Sequence, residues 1–172
     1  MKKLFVFLCS LVTAASLPLI ADETTPQHFH ITMENQPGDW ELALSQVKIN
    51  GQYFEIWDRQ DLGEGTTQER IIVVSSPTTK AHKVKIRALM RKSMFPVKYV
   101  PGTKTEVHRE VENEAVFEWR TPNGHHSLVR LLVEPGTYHS VTYLHKGKER
   151  LDEEEMNRRV DFLDSLNLTY SS

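Results

Sequence analysis

Only one cysteine, Cys9, occurs in the 172 residues. It lies in the apolar run Leu4 to Leu11, which follows Lys2 and Lys3 and precedes a stretch of small residues, Pro18 and Ala21. This is the pattern of an export signal: two ammonium groups stay on the cytoplasmic side while a short apolar helix enters the membrane, and Pro18 ends that helix ahead of a cleavable stretch. The run is too short for a stable membrane span. Cleavage is expected after Ala21, with Ala15 as the rival position. Leu8 stands where a lipoprotein signal needs a small residue, which argues against lipid attachment at Cys9. Removing residues 1–21 leaves 151 residues without a thiol. A disulfide framework, a thiolate metal site and a cysteine nucleophile are thereby excluded.

A dominant charge of one sign is also missing. Without Lys2 and Lys3 there are 19 basic residues against 23 acidic ones, a formal charge of −4, which is too mild for a nucleic-acid binder. After the signal there is no apolar run long enough to cross a membrane. Neither a His-Glu-x-x-His nor a Gly-x-Ser-x-Gly motif occurs, there is no internal repeat, and no cofactor is expected.

Alternation and turn residues carry the rest. Asp22 to Asp39 is polar and holds Pro26, Pro37 and Gly38, so residues 22–39 are expected to be a loose leader, with an edge strand near His28 to Met33 at most. Residues 40–172 are expected to form one α+β domain. Trp40, Leu42 and Leu44 alternate with polar residues, Asn50-Gly51 is a strong hairpin turn, and Tyr53 to Trp57 resumes with aromatic and β-branched residues. Ile71 to Val74 is a compact buried-strand run, and Ser75-Ser76-Pro77 resembles a helix cap with a first-turn proline. That predicts a helix over 79–93. Four strands follow, over 105–111, 115–120, 126–134 and 138–145, separated by turn residues such as Pro122-Asn123-Gly124 and Pro135-Gly136. Met156, Val160, Leu163 and Asn167 recur at helical spacing behind three glutamates suited to a positive helix start, predicting a last helix over 152–166.

Hairpin turns fix which residues face one another. Pairing Glu134 with Tyr138 and Arg120 with His125 puts Val116, Val129, Leu131, Val133, Val141 and Tyr143 on one face of the meander. Phe117, Trp119, Leu128, Leu132 and Leu144 then lie on the other. A sheet with one wetted face alternates more cleanly, so both faces are expected to be covered. The predicted fold is α+β, an antiparallel sheet with a long C-terminal meander and helices packed on both faces, a three-layer α/β/α sandwich. In this order of elements, and in the runs Phe117-Glu118-Trp119, Arg130 and Tyr138 to Tyr143, the chain resembles the Mog1/PsbP-like α/β/α sandwich. The resemblance implies a binding or assembly factor rather than an enzyme, and it assigns no role to any single residue.

The same register sets Glu118, Ser127 and His145 side by side, with Arg120 and His125 on the next rung. A carboxylate, a hydroxyl and an imidazole suit a base-activated nucleophile or a polar ligand site. Against catalysis, Ser127 falls between its partners where a relay needs the imidazole, and a slip of one residue would disperse the row. A polar binding patch and a plain solvated sheet end are the competing readings. The eight histidines include only two local pairs, His28 with His30 and His125 with His126. Neighbouring strand residues point to opposite faces, so His125 and His126 are poorly placed to share an ion, and no metal site is expected. Lys80, Lys83, Arg87 and Arg91 form a basic stripe opposite Ile86, Leu89 and Met90, suited to an anionic surface or an acidic envelope protein, or simply solvated. Trp40, Trp57 and Trp119 are read as core anchors. Together these features predict an exported, periplasmic or secreted, non-catalytic binding or assembly module of the bacterial envelope. The alternative is a small envelope hydrolase or metal-binding protein built on the Glu118, Ser127, His145 row.

Overall fold

Asn50 and Gly51 turn the chain as their residue types demand: Gly51 adopts φ +74°, its amide donates to Lys48 O at 2.9 Å, and Lys48 N donates to Gln52 O at 2.8 Å. The computed structural model describes residues 28–31, 33, 38–60, 68–78, 85–94, 99–147, 152–166 and 168–171. The signal-like segment 1–21, the loop around Gly63 and Gly65, and Lys80, His82, Lys83 and Asn167 lie outside the described residues.

The elements run β1 (His28–Ile31), β2 (Trp40–Val47), β3 (Tyr53–Arg59), β4 (Gln68–Pro77), α1 (Ile86–Met94), β5 (Lys104–Glu110), β6 (Glu114–Arg120), β7 (His125–Glu134), β8 (Thr137–Lys146), α2 (Glu153–Ser165) and β9 (Leu168–Ser171). Seven strands form one antiparallel sheet in the order β2-β3-β4-β8-β7-β6-β5, while β1 and β9 pair separately. Strand β4 therefore skips the intervening helix and strands to join the end of the meander, which places β8 at the centre of the sheet.

The expected three-layer sandwich does not form. The described residues are dominated by the seven-stranded sheet, and the two helices among them, of nine and thirteen residues, are too short to make layers over it. Ile86 and Leu89 of α1 pack on Ala115, Phe117, Val129 and Leu131. Met156 and Leu163 of α2 pack on the opposite face, against Ile71, Val73, Val116, Leu128, Val141 and Tyr143, and Ile31 and Met33 complete that core. Beyond these patches the outermost strands β2 and β5 are exposed along nearly their whole length. Ser75, Ser76 and Pro77 do not cap a helix: they extend β4 and pair with His139, Tyr138 and Thr137 of β8. Pro77 is tolerated because the ladder with β3 has already ended at Ser75, so no partner needs its missing N–H. Strand β9 has no counterpart in the elements predicted from sequence.

Within the meander one strand is turned over. Glu134 pairs with Thr137 across the two-residue loop Pro135-Gly136, and Arg120 pairs with His126 rather than His125. Each pairing differs by one residue from the predicted register, so β7 presents the opposite face to both neighbours. Leu128 and Leu132 join Val116, Val141 and Tyr143, while Val129 and Leu131 cross to the side of Phe117. Trp40 and Trp57 are half-buried at the margin of the α2-side core, and Trp40 meets Tyr143 edge-on and stacks with Phe162 at centroid distances of 6.1 and 6.2 Å. Trp119 is buried on the other face.

Candidate functional site

On the α2-side face, one rung of the sheet carries Glu69 of β4, His145 of β8, His126 of β7 and Arg120 of β6 as successive cross-strand partners. Glu118 stands next to Arg120 on β6. Alternation places them together: Glu69 shares its face with Ile71 and Val73, and Glu118 with Val116. The row is buried apart from Arg120, with Glu118 only 1% exposed, so each carboxylate must be compensated locally.

Glu69 is contacted from several sides. Its Oε1 lies 3.2 Å from His145 Nδ1 and accepts from Arg159 Nη2 at 2.8 Å, and its Oε2 accepts from Arg59 Nη1 at 2.8 Å. Burial by itself opposes ionisation, but hydrogen bonds from His145 and Tyr143 and the charges of Arg159 and Arg59 outweigh it and hold the carboxyl at about 2. Arg159 comes from α2, where it is also bonded to Glu155 at 2.9 Å and lies over the Tyr143 ring at 4.7 Å.

Glu118 has its own set. Arg120 Nη2 contacts Oε1 at 2.6 Å, and His126 Nε2 and His108 Nε2 lie 3.1 and 3.5 Å from Oε2. Here too burial raises the carboxyl pKa, while the His126 hydrogen bond and the charges of its neighbours prevail and lower it. His126 is driven in the neutral direction chiefly by its own burial, with Arg159 and Arg120 adding to the effect against Glu118. With Glu118 ionised, neutral His126 must carry its proton on Nε2 to donate.

Two buried imidazole–carboxylate pairs would be half of a proton relay, but a relay needs a nucleophile at the other ring nitrogen. Ser127 cannot supply it. The turned-over β7 places Ser127 opposite Trp119 and Leu144, on the face away from Glu118 and His145, where its hydroxyl is fully buried with no hydrogen-bond partner among the described residues. The predicted row is thus split, and His126 takes the place assigned to Ser127. Among the described residues no three His, Cys, Asp or Glu side chains are grouped to hold a metal ion. The arrangement neutralises charge inside the sheet and ties α2 to β3 and β4 through Arg159, Glu69 and Arg59.

The other predicted binding residues separate. Arg120 is occupied by Glu118, with Glu106 at 3.7 Å. His125 is half-buried at the sheet end and pushed toward its neutral form by burial and by Lys146. Of the basic stripe, Arg87 is ion-paired with Glu110, and Arg91 is exposed. Sequence reasoning missed Glu69 and Arg159. The available signals were the extension of the Ile71, Val73 alternation back to Glu69, and a charged residue inside the apolar stripe of the last helix.

The sheet edges offer a different kind of site. Strand β5 is an edge of charged residues with a bulge between Val107 and Arg109, devices that discourage pairing. Strand β2 also has a bulge, between Leu42 and Leu44, but its eight residues hold one charge, Glu41, and expose Leu42 (45%), Leu44 (38%) and Val47 (55%), with Ile49 just beyond. Its outer row of peptide groups pairs with no strand among the described residues. No protein-family model, curated protein or solved structure matches the chain.

Proposed function

We propose that this chain is an exported, non-catalytic binding or assembly module of the bacterial envelope, and that it makes its contact through the edge of β2. The observation that carries the proposal is that edge: a row of backbone donors and acceptors that pairs with no strand among the described residues, flanked by exposed Leu42, Leu44 and Val47. Such a row gives affinity through main-chain hydrogen bonds and specificity through alternate side chains. The lysine-led apolar N-terminus supports export. The placement of Ser127 on the face of the sheet away from Glu118 and His145 supports a role without catalysis. The partner class is a polypeptide, because main-chain pairing along β2 requires another extended strand.

A photo-crosslinking side chain placed at Leu44, in cells carrying the protein in its own envelope, tests this. Covalent polypeptide adducts are expected at Leu44 and not at Glu106 on the opposite edge. Equal labelling at both positions, or none at Leu44, overturns the proposal.

A further inference from the structure

The β2 edge is complementary to itself. Taking β2 as the assembly surface, as proposed above, we infer that its partner is the β2 strand of a second copy of this chain. The pairing is antiparallel about a two-fold axis at Ser45.

The bulge specifies the register. Along β2, Leu42 pairs with Trp57 and Leu44 with Ile56, so Ala43 is an extra residue and the alternation of faces skips there. Leu42, Ser45 and Val47 lie on the α2-side face with Trp57, Glu55 and Tyr53, while Glu41, Leu44 and Gln46 lie on the other face with Asp58, Ile56 and Phe54. Lys48 joins that second group, its ammonium 4.2 Å from the centre of the Phe54 ring. With Ser45 opposite Ser45 of the copy, Leu44 meets Gln46. Each strand then spends its bulge at Ala43, after which Leu42 meets Val47 and Glu41 meets Lys48. Every pair shares a face, which a two-fold axis placed between Leu44 and Ser45 would not achieve.

Two Glu41 to Lys48 pairs and two Leu42 to Val47 pairs result from a single strand sequence. Opposite charges and apolar pairs directly across strands stabilise a sheet. Within its own chain Glu41 stands opposite Asp58, a like-charge neighbour, so the copy supplies the counter-charge that β3 does not. The contact is isologous and consumes both β2 edges. What remains at the ends of the joined fourteen-stranded sheet is β5 on either side, whose charges and bulge oppose further addition, so assembly stops at the dimer.

Sedimentation equilibrium of the protein purified from its own envelope tests the inference, and the expected mass is twice that of the monomer. E41K and K48E each set like charges across the axis and are expected to weaken the dimer roughly ten- to hundredfold. The double variant E41K/K48E restores both pairs and the wild-type association. In a Cys9→Ser background, S45C is expected to form an intermolecular disulfide on mild oxidation, because cross-strand Cα separations of about 4.5–5.5 Å fall in the disulfide range. Far-UV circular dichroism checks that each variant is folded. A monomeric species throughout, or a dimer indifferent to E41K with no S45C cross-link, overturns the inference. Adducts of the Leu44 crosslinker that hold only other polypeptides overturn the self-pairing alone and leave the binding-module reading standing. Loss of all adducts removes both.

Discussion

Glu118 keeps its charge in a place that excludes water because Arg120, His126 and His108 reach it from three directions. Removing one member of a buried pair leaves the others uncompensated, a loss of about 3–5 kcal/mol. Glu118→Ala is therefore expected to cost about 3 kcal/mol of unfolding free energy in urea titration. Glu106→Ala, at a side chain that is 60% exposed, should change it by less than about 1 kcal/mol. Equal small effects would show that the Glu118 set does not anchor the sheet. At this scale the sequence marked Glu118 and His145 as residues of consequence, and it recognised His125 and His126 as pointing to opposite faces. It put Ser127 beside His145 where the structure has His126, because that choice depends on a single residue of register.

Elements differ in how legible they were. The helix α2 carried its own signals, and Asp152 caps it by accepting from Glu155 N at 2.8 Å, as a short acidic side chain at that position should. The hairpin β2–β3 was equally plain from Asn50-Gly51. Strand β7 was not, since Leu128 and Leu132 on one face and Val129 and Leu131 on the other leave the hydrophobic pattern indifferent to which side turns inward. The turn decided it. Gly136 has φ +86°, which closes the β7–β8 loop in two residues. A Cβ added there would meet nothing within 4 Å, so Gly136→Val should destabilise through backbone conformation alone, by about 1–2 kcal/mol. Thermal unfolding of this variant beside one at exposed Asn123 measures the effect, and no difference would mean that the turn does not hold the register.

Across the whole molecule, buried ionisable groups give stability a common acid dependence. Burial pushes His139 from 6.5 down to about 3, so between those values the unfolded chain takes up a proton that the folded one refuses. Its contribution is fully present above pH 6.5 and is lost as pH falls toward 3. Glu69, held at about 2 against an ordinary 4.5, contributes fully above pH 4.5 and loses that contribution as pH falls toward 2. Glu118 and His126 shift in the same direction. Each such group steepens the fall by up to about 1.4 kcal/mol per pH unit. Unfolding free energy measured by urea titration from pH 7 to 4 should decline throughout, with His139→Gln flattening the part above pH 4.5. A flat wild-type profile between pH 6.5 and 4.5 would refute this account.

What the sequence determined by itself was local: the strands of the meander, the hairpin at Asn50-Gly51, the last helix, and apolar character on both faces of β7. These follow from alternation, helical spacing and turn chemistry, each complete within a few residues. Apolar faces, however, do not specify what covers them, and the inference from two apolar faces to two helical layers failed for that reason. Only the tertiary structure decided that β4 enters the sheet beside β8, that β7 turns Leu128 rather than Val129 toward α2, and that Glu69 and Arg159, 90 residues apart in the chain, meet beside His145. Those outcomes depend on long-range pairing, where competing registers bury similar apolar area and the turns and buried charges select among them.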